Sequence, residues 1–534
     1  MNEAIKMGKA SATGSFHLFI GKIFSTIMLA ISSIIIGLYI SQGDYGLFTI
    51  ALVPIATFIL FQDWGVESAL TKYCATFRAE KKEVELKNII ISGLTFKAIT
   101  GLFLTLISFL TANFFASSIY NNPESAFLIT LASITIFFGA IHGSSLSIFV
   151  GFERMELNTV TMIVAAIVHG FLSPVLVYLG YGALGIMIGY TFSSIASGVA
   201  AVILLYFKIF KKLSKEPIKK KKIFQMLKPL LKYGIPLSIS AIIGGLLPQV
   251  NQFLMASSTD LAMIGNYKIS LNFTIFLTFF SIPISTVLFP AFSKLDPKKD
   301  RKLMKTVFTS SVKYSSLFLV PATMGLMILS NPLISTLFAD KWLSAPLFLS
   351  LGVISSFFVL LGSLSFGRLL VGTGETSFLL KLNLLNLCIG VPLAFLLIPP
   401  LGILGLLIVS SIVGVPSLII GLYWIWKRYE TKADYGNSTR IFIASMIAGL
   451  VTYIFLNMVV AAAWIMLIVG ALIYLVLYIF CISLVGAINQ MDIDNLRVMF
   501  SELGPISKLL QILLTLIEKP LKIKEKYSNA SNQK

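Results

Sequence analysis

The stretch IIISGLTFKAITGLFLTLISFLTANFF, residues 89–115, runs for 27 residues with Lys97 as its one charge. A bilayer core about 30 Å thick needs roughly 20 apolar residues as a helix, because hydrocarbon offers the backbone no partner but itself. The stretch therefore reads as a membrane-crossing helix, and its lysine as the residue to be explained.

Working outward, the same rule finds fourteen stretches in the 534 residues. They are 15–40, 47–64, 89–115, 126–150, 160–179, 183–207, 234–255, 266–292, 314–338, 345–366, 378–398, 402–426, 441–460 and 464–488. The composition agrees: 57% of the chain is apolar and 12% charged, against roughly 45–50% and about 25% in soluble domains. That excludes a soluble enzyme and a disordered chain. The run at 15–40 is too long for a signal peptide and lacks a small-residue cleavage site, so it reads as the first span.

The charges are few and lopsided, 42 Lys and Arg against 23 Asp and Glu, for a net +19. With the N-terminus placed in the cytoplasm, the inside loops hold Lys72, Arg78, Lys81, Lys82, Lys87, Arg154, the run 208–232, the loop 294–305, Arg368, Lys381, 427–440 and the tail. The outside loops hold Asp44, Glu124, Asp260, Asp340 and a single cation, Lys341. With Lys341 and three lysines inside helices set aside, 38 of 42 cations fall on one side. This is the positive-inside pattern, so both termini are expected in the cytoplasm and nucleic acid is not called for as a partner.

An internal repeat is also legible. Val150-Gly151 and Val371-Gly372 close the fourth and tenth stretches, 221 residues apart, and Gly182-Ala183-Leu184-Gly185 and Gly402-Ile403-Leu404-Gly405 open the sixth and twelfth, 220 apart. An even unit of six helices gives parallel repeats, an architecture that places a substrate site between two lobes. The expected fold is thus all-α and polytopic. Its parts are an N-lobe at 1–207, a basic linker at 208–232, a C-lobe at 233–428, an extra helix pair at 429–488 and a basic amphipathic tail at 489–534. In the tail, the apolar 509–517 is too short to span. Flanked by Lys508, Lys519, Lys522, Lys524 and Lys526, it reads as an interfacial helix on anionic lipid, or as a solubilising end.

Enzyme signatures are missing. There is no phosphate-binding GxxxxGK[ST] loop and no HExxH. Cys74, Cys388 and Cys481 are scattered, and His17, His142 and His169 stand singly on three helices, reading as packing residues. No cofactor is called for. Ionisable groups inside spans are costly and usually face a cavity or a partner. Lys97, roughly 14 Å into its helix, sits near the midplane, either as a cavity cation or as the partner of a polar group. Lys22 lies where snorkelling is open to it, and Lys268 lies near the outer end of the eighth stretch. Asp63 and Glu67 close the second stretch and either pair with Lys22, bind a coupling H⁺ or Na⁺, or cap the helix. Arg154 and Arg368 end corresponding helices of the two lobes, as gates or as simple anchors. Pro236, Pro248, Pro283, Pro321 and Pro392 fall within helical stretches and are expected to kink them.

Three motifs carry a family resemblance: SQGDYGLF at 41–48, DWGVESALTKY at 63–73 and IGNY at 264–267. They resemble the polysaccharide-export branch, the Wzx-type flippases, of the multidrug/oligosaccharidyl-lipid/polysaccharide (MOP) exporter superfamily. One departure is Asn251, where that pattern has an acidic residue. The resemblance implies rocking lobes that carry a polyprenyl- or dolichyl-diphosphate-linked oligosaccharide from the inner to the outer leaflet of the cell membrane. Lys22, Lys97 and Lys268 are then the cavity cations that hold the diphosphate. Its implied partners are membrane lipids and glycan-assembly enzymes, and the extra helix pair resembles one that lines a lipid-tail groove. The competing reading is an H⁺- or Na⁺-coupled exporter of drugs or small solutes.

Overall fold

The computed structural model describes residues 2–213, 220–293, 295–296, 299–501, 511–512, 514–519 and 521. Among these every regular element is helical. Twelve helices are long and apolar enough to cross a membrane, or thirteen when the bent pair Ala345–Leu361 and Ser363–Gly372 is one span. Lys294, Lys508, Lys522, Lys524 and Lys526, and part of the expected linker, lie outside the described residues.

The chain forms two compact units. The first, Met1–Lys268 with Leu387–Val409, contains α1 (Asn2–Tyr39), α2 (Gln42–Leu60), α3 (Val66–Ala79), α4 (Glu83–Phe114), α5 (Ser125–Gly151), α6 (Met155–Tyr178), α7 (Gly182–Lys208), α8 (Lys220–Ser258) and the start of α9 (Leu261–Ser293). The expected second span does not run on to Trp64. It stops at Leu60, and Trp64 (φ +49°) and Gly65 (φ +71°) turn the chain into α3. The reason is local: two successive left-handed residues cannot continue an α-helix, and Asp63 Oδ1 accepts from the Glu67 amide (3.1 Å) to start the next one.

Glycine decides how closely the helices of this unit meet. A Cβ at Gly46 would stand 2.0 Å from the Leu261 carbonyl oxygen, one at Gly265 2.1 Å from that of Gln42, and one at Gly65 2.1 Å from that of Gly234. Backbone therefore touches backbone near both ends of α2. Ser41 caps α2 by accepting from the Asp44 amide (3.0 Å), with Asp44 in the first turn where the helix dipole favours it. Beside the Gly65 contact, the Lys72 ammonium lies 4.1 Å from the Tyr233 ring centre.

The second unit is Ile269–Asn386 with Ser410–Lys534. It holds the rest of α9, then α10 (Arg301–Ile328), α11 (Ser330–Phe338), α12 (Ala345–Gly352), α13 (Ser363–Gly372) and the start of α14 (Thr376–Leu401), whose remainder from Leu387 belongs to the first unit. After α15 (Ile403–Ile412), which begins in the first unit, come α16 (Gly414–Tyr429), α17 (Tyr435–Met458), α18 (Ala463–Leu484) and α19 (Gln490–Ser501). The expected tenth span is broken. A 3₁₀ segment, Ile354–Leu361, and Gly362 (φ +94°) bend the path by 59°. Helices α17 and α18 pack on α10 and α11, where the Tyr478 hydroxyl donates to the Leu317 carbonyl (2.8 Å).

Each unit has a buried apolar cluster, and the two correspond position by position. Leu70, Leu86, Ile90, Ile148, Phe149, Leu205 and Ile209 of the first are matched by Phe292, Met304, Phe308, Leu369, Leu370, Ile425 and Tyr429 of the second. The separations run from 218 to 222 residues, the spacing of the sequence repeat.

Two outcomes follow. Gly46→Ala lowers the thermal midpoint in detergent, by about 1–3 kcal/mol of overpacking, whereas Gly43→Ala, with open space around it, does not; equal behaviour of the two would contradict the close contact. Burial pushes the Cys74 thiol up to about 12, so at pH 7 a maleimide leaves Cys74 unmodified until the protein is denatured, as read by peptide mapping.

Candidate functional site: a buried lysine and two carboxylates

Helix α4 carries Lys97 on its buried side, and the lysine has no exposed surface at all. Its Nζ donates to Glu67 Oε1 (2.9 Å) and to Asp63 Oδ1 (3.3 Å). An ammonium stripped of water costs several kcal/mol unless oxygen partners replace the hydration shell. Here the break after α2 supplies both: Asp63 sits in the turn and Glu67 in the first turn of α3, and the hydrogen bond that the Glu67 amide donates to Asp63 Oδ1 holds them side by side. The carboxylates are not themselves sealed, at 39% and 34% exposed. With both ionised, the cluster carries a net −1 and offers free carboxylate lone pairs to whatever enters beside it.

The seat is shaped by small and polar neighbours. A Cβ at Gly143 of α5 would fall 2.3 Å from Glu67 Oε1, so only glycine leaves room for the carboxylate. Thr71 donates to the carbonyls of Glu67 (3.2 Å) and Ser147 (3.1 Å), fixing α3 against α5. Gln62, buried one residue before Asp63, donates to the Ile136 carbonyl. Sequence reasoning passed over Gly143 and Gln62. The signal for Gly143 was there, since Gly139 and Gly143 stand four apart on one helix face, the spacing of close approach in membranes.

The other expected residues are placed apart from this cluster. Lys22 is exposed on α1, on a helix whose small residues Gly21 and Ser25 meet α6 through Thr159 and the Met162 carbonyl. Lys268 is half-buried on α9 and within electrostatic reach of His169, which is hydrogen-bonded to the Ser173 hydroxyl (2.9 Å) and edge-on to Tyr190 (6.0 Å). Arg154 precedes α6 and is paired with Glu156. Arg368 is exposed on α13. Asp63 and Glu67 thus take Lys97, not Lys22, as their cation. Asn251 is buried, its Oδ1 without a partner among the described residues, and His142 Nε2 likewise has none.

The cluster belongs to the first unit only. At the repeat spacing, the counterpart of Lys97 is Ser315, fully buried and donating to the Ser311 carbonyl (2.6 Å). Those of Asp63 and Glu67 are Ser285 and Phe289 in the sequence. The charged residues of the first unit thus have uncharged counterparts in the sequence of the second.

The fold is shared with solved structures. A structure titled "Lipid II flippase MurJ, inward closed conformation" matches with a TM-score of 0.70 at 16% identity, covering 88% of this chain and 98% of its own. The inward-facing conformation of a multidrug resistance MATE family transporter of the MOP superfamily matches with 0.61 at 14% identity, covering 76% and 94%. Among curated sequences, the lipopolysaccharide biosynthesis protein WzxC of Escherichia coli K12 is 24% identical over 410 residues, 76% of this chain and 78% of WzxC. The chain is a multi-pass membrane protein with the fold that these structures share. Residues 35–346, more than half of the chain, match the family described as "Polysaccharide biosynthesis protein", and the chain belongs to it.

Lys97→Met tests the ion cluster. It leaves two carboxylates facing each other without a cation and costs about 3 kcal/mol, the low end for breaking a buried pair because the acids are partly solvated. Adding Glu67→Gln restores most of the loss. Thermal midpoints of the single and double variants check this, and an equal loss in both would mean that the lysine's packing, not its charge, is what counts.

Proposed function

We propose that the protein is a flippase of the plasma membrane. It moves a polyprenyl- or dolichyl-diphosphate-linked oligosaccharide from the cytoplasmic to the outer leaflet by alternating access. The observation that carries this reading is Lys97, a charged group buried within a spanning helix beside carboxylates that remain open to an entering solute. A diphosphate needs cations inside an otherwise apolar path, and Lys22, Lys97 and Lys268 are the lysines proposed to supply them. Lys97 exchanges a carboxylate for a phosphate oxygen when Asp63 or Glu67 takes up H⁺ or Na⁺, which ties anion capture to cation entry. Membership of a polysaccharide biosynthesis family and the likeness to a lipid II flippase support this substrate class.

The topology proposed with it has fourteen spans and both termini in the cytoplasm. The N-lobe is 1–207, the linker 208–232, the C-lobe 233–428, the extra pair 429–488 and the tail 489–534. Arg154 and Arg368 are proposed as cytoplasmic gate residues, and glycan-assembly enzymes as partners that hand over the substrate. A second reading, an H⁺- or Na⁺-coupled exporter of drugs or small solutes, draws on the partly exposed acids Asp63 and Glu67, which a cationic solute would favour.

Reconstitution in liposomes with a lipid-linked oligosaccharide decides between them. The wild type translocates the glycolipid, and Lys22→Ala and Lys97→Ala each slow it by about tenfold or more, the effect of roughly 1.4 kcal/mol at a charged contact. Undiminished transport in both variants would remove the site assignment. Drug efflux without glycolipid movement would install the second reading.

A further inference from the structure

The second unit buries a lysine of its own, and the group that answers it lies near the end of the chain. Lys313 of α10 is 14% exposed, and its Nζ is bonded to Asp492 Oδ2 of α19, itself 10% exposed. The Asp492 carboxylate is held as a bound oxyanion would be. Oδ2 accepts from the Lys313 ammonium and from the Asn489 amide (2.9 Å), while Oδ1 accepts from the Tyr314 hydroxyl (3.5 Å). Asn489 Oδ1 in turn accepts from the Asp492 amide (2.9 Å), and Asn495 donates to the Tyr314 hydroxyl (3.3 Å). Of these donors the Asn489 amide belongs to the docked segment itself, and the Lys313 ammonium and Tyr314 hydroxyl of α10 are the pair that also suits a phosphoryl group.

We propose that Lys313 and Tyr314 form a phosphoryl-anion site, occupied in the docked state by Asp492, so that α19 is a displaceable internal ligand. The argument is one of linkage. When α19 lifts away, the Lys313 ammonium loses the Asp492 carboxylate and, with the Tyr314 hydroxyl, is opened to another anion. Docking of α19 and binding of an external anion then oppose each other, and by reciprocity each weakens the other by the same factor. At the repeat spacing from Lys313 the first unit has Thr95, uncharged and exposed, and its own buried lysine, Lys97, stands at a different place. The lysine and the helix that covers it are an addition to the second unit. The docked segment is held at few points beyond the ion pair. Ile493 and Leu496 are buried, Arg497 bonds Glu518 (2.8 Å), and Ser483 donates to the Ile517 carbonyl (3.4 Å). The fitting ligand chemistry is a phosphate or diphosphate, whether free in solution or on a lipid headgroup.

The test reads release of the tail as the rate of tryptic cleavage after Arg497, identified by mass spectrometry. Full-length protein in phosphatidylcholine vesicles is compared with and without inorganic pyrophosphate at matched ionic strength, and with and without phosphatidic acid in the bilayer. In the wild type at least one anion accelerates this cut by about tenfold, within the usual range of coupling between sites. Asp492→Asn shifts the response to roughly tenfold lower anion concentration. Lys313→Gln with Asp492→Asn, which removes both charges and leaves no buried ion to disrupt the fold, abolishes it. A response to pyrophosphate alone identifies a soluble ligand, one to phosphatidic acid alone identifies a lipid headgroup, and both support the site. A wild type indifferent to both anions, or a double variant that responds like the wild type, overturns it. No transport is measured, so the outcome is independent of the flippase reading.

Discussion

An ammonium group shut away from water has to be met by oxygen atoms at every stage at which it stays shut away, and in this protein Lys97 imposes that condition on four helices at once. Helix α2 must stop at Leu60 so that Asp63 can turn toward α4. Helix α3 must begin where Glu67 falls in its first turn, and α5 must carry a glycine opposite the carboxylate. Each of these would be a defect in a bundle held by apolar packing alone. Together they form a polar seam whose members depend on one another, which is why removing the lysine is expected to cost more than removing an ordinary side chain of its size.

Each of the three segments that carry the family likeness is a place of close backbone contact or stands beside one. The turn at 41–48 meets the segment at 264–267, because Gly46 and Gly265 let α2 and α9 approach without intervening side chains. The segment at 63–73 supplies both acids of the ion cluster, and through Gly65 it touches Gly234 of α8. Charge at Asp63 and contact at Gly65 are thus two residues apart on one short turn. A change in protonation or ion occupancy at the acids is transmitted to the α2–α8 contact with little chain in between to absorb it.

Much of the fold could be read from the chain because hydrocarbon length is a strict constraint. Stretches of some twenty apolar residues announced the helices, and the repeat announced the second apolar cluster to within a few residues. What stayed hidden were interruptions inside apolar runs. The bend at Gly362 is flanked by hydrophobic residues on both sides, so composition does not mark it, whereas the break at Phe61–Gly65 shows in Gln62, Asp63 and Gly65 at the end of its run. The candidate site was half legible. Lys97 stood out as a charge in a span, and Asp63 and Glu67 as the acids nearest a helix interior. Their pairing rests on contacts between residues 34 and 30 apart in sequence, which no local pattern encodes. Lys313 went unremarked because it abuts the start of an expected span, and its partner lies 179 residues further on.

The asymmetry between the two units has an electrical meaning. The first unit's seam sets two carboxyl groups against one lysine, a formal excess of one acid, while the residues at the matching places in the second, Ser285, Phe289 and Ser315, carry no charge. An elementary charge displaced across a bilayer gains or loses about 2.3 kcal/mol for every 100 mV of membrane potential. Any rearrangement that carries the charged seam through part of that field is therefore voltage-sensitive in proportion to the distance moved. A seam that has taken up one proton or one sodium ion is neutral, and makes the same movement without feeling the field.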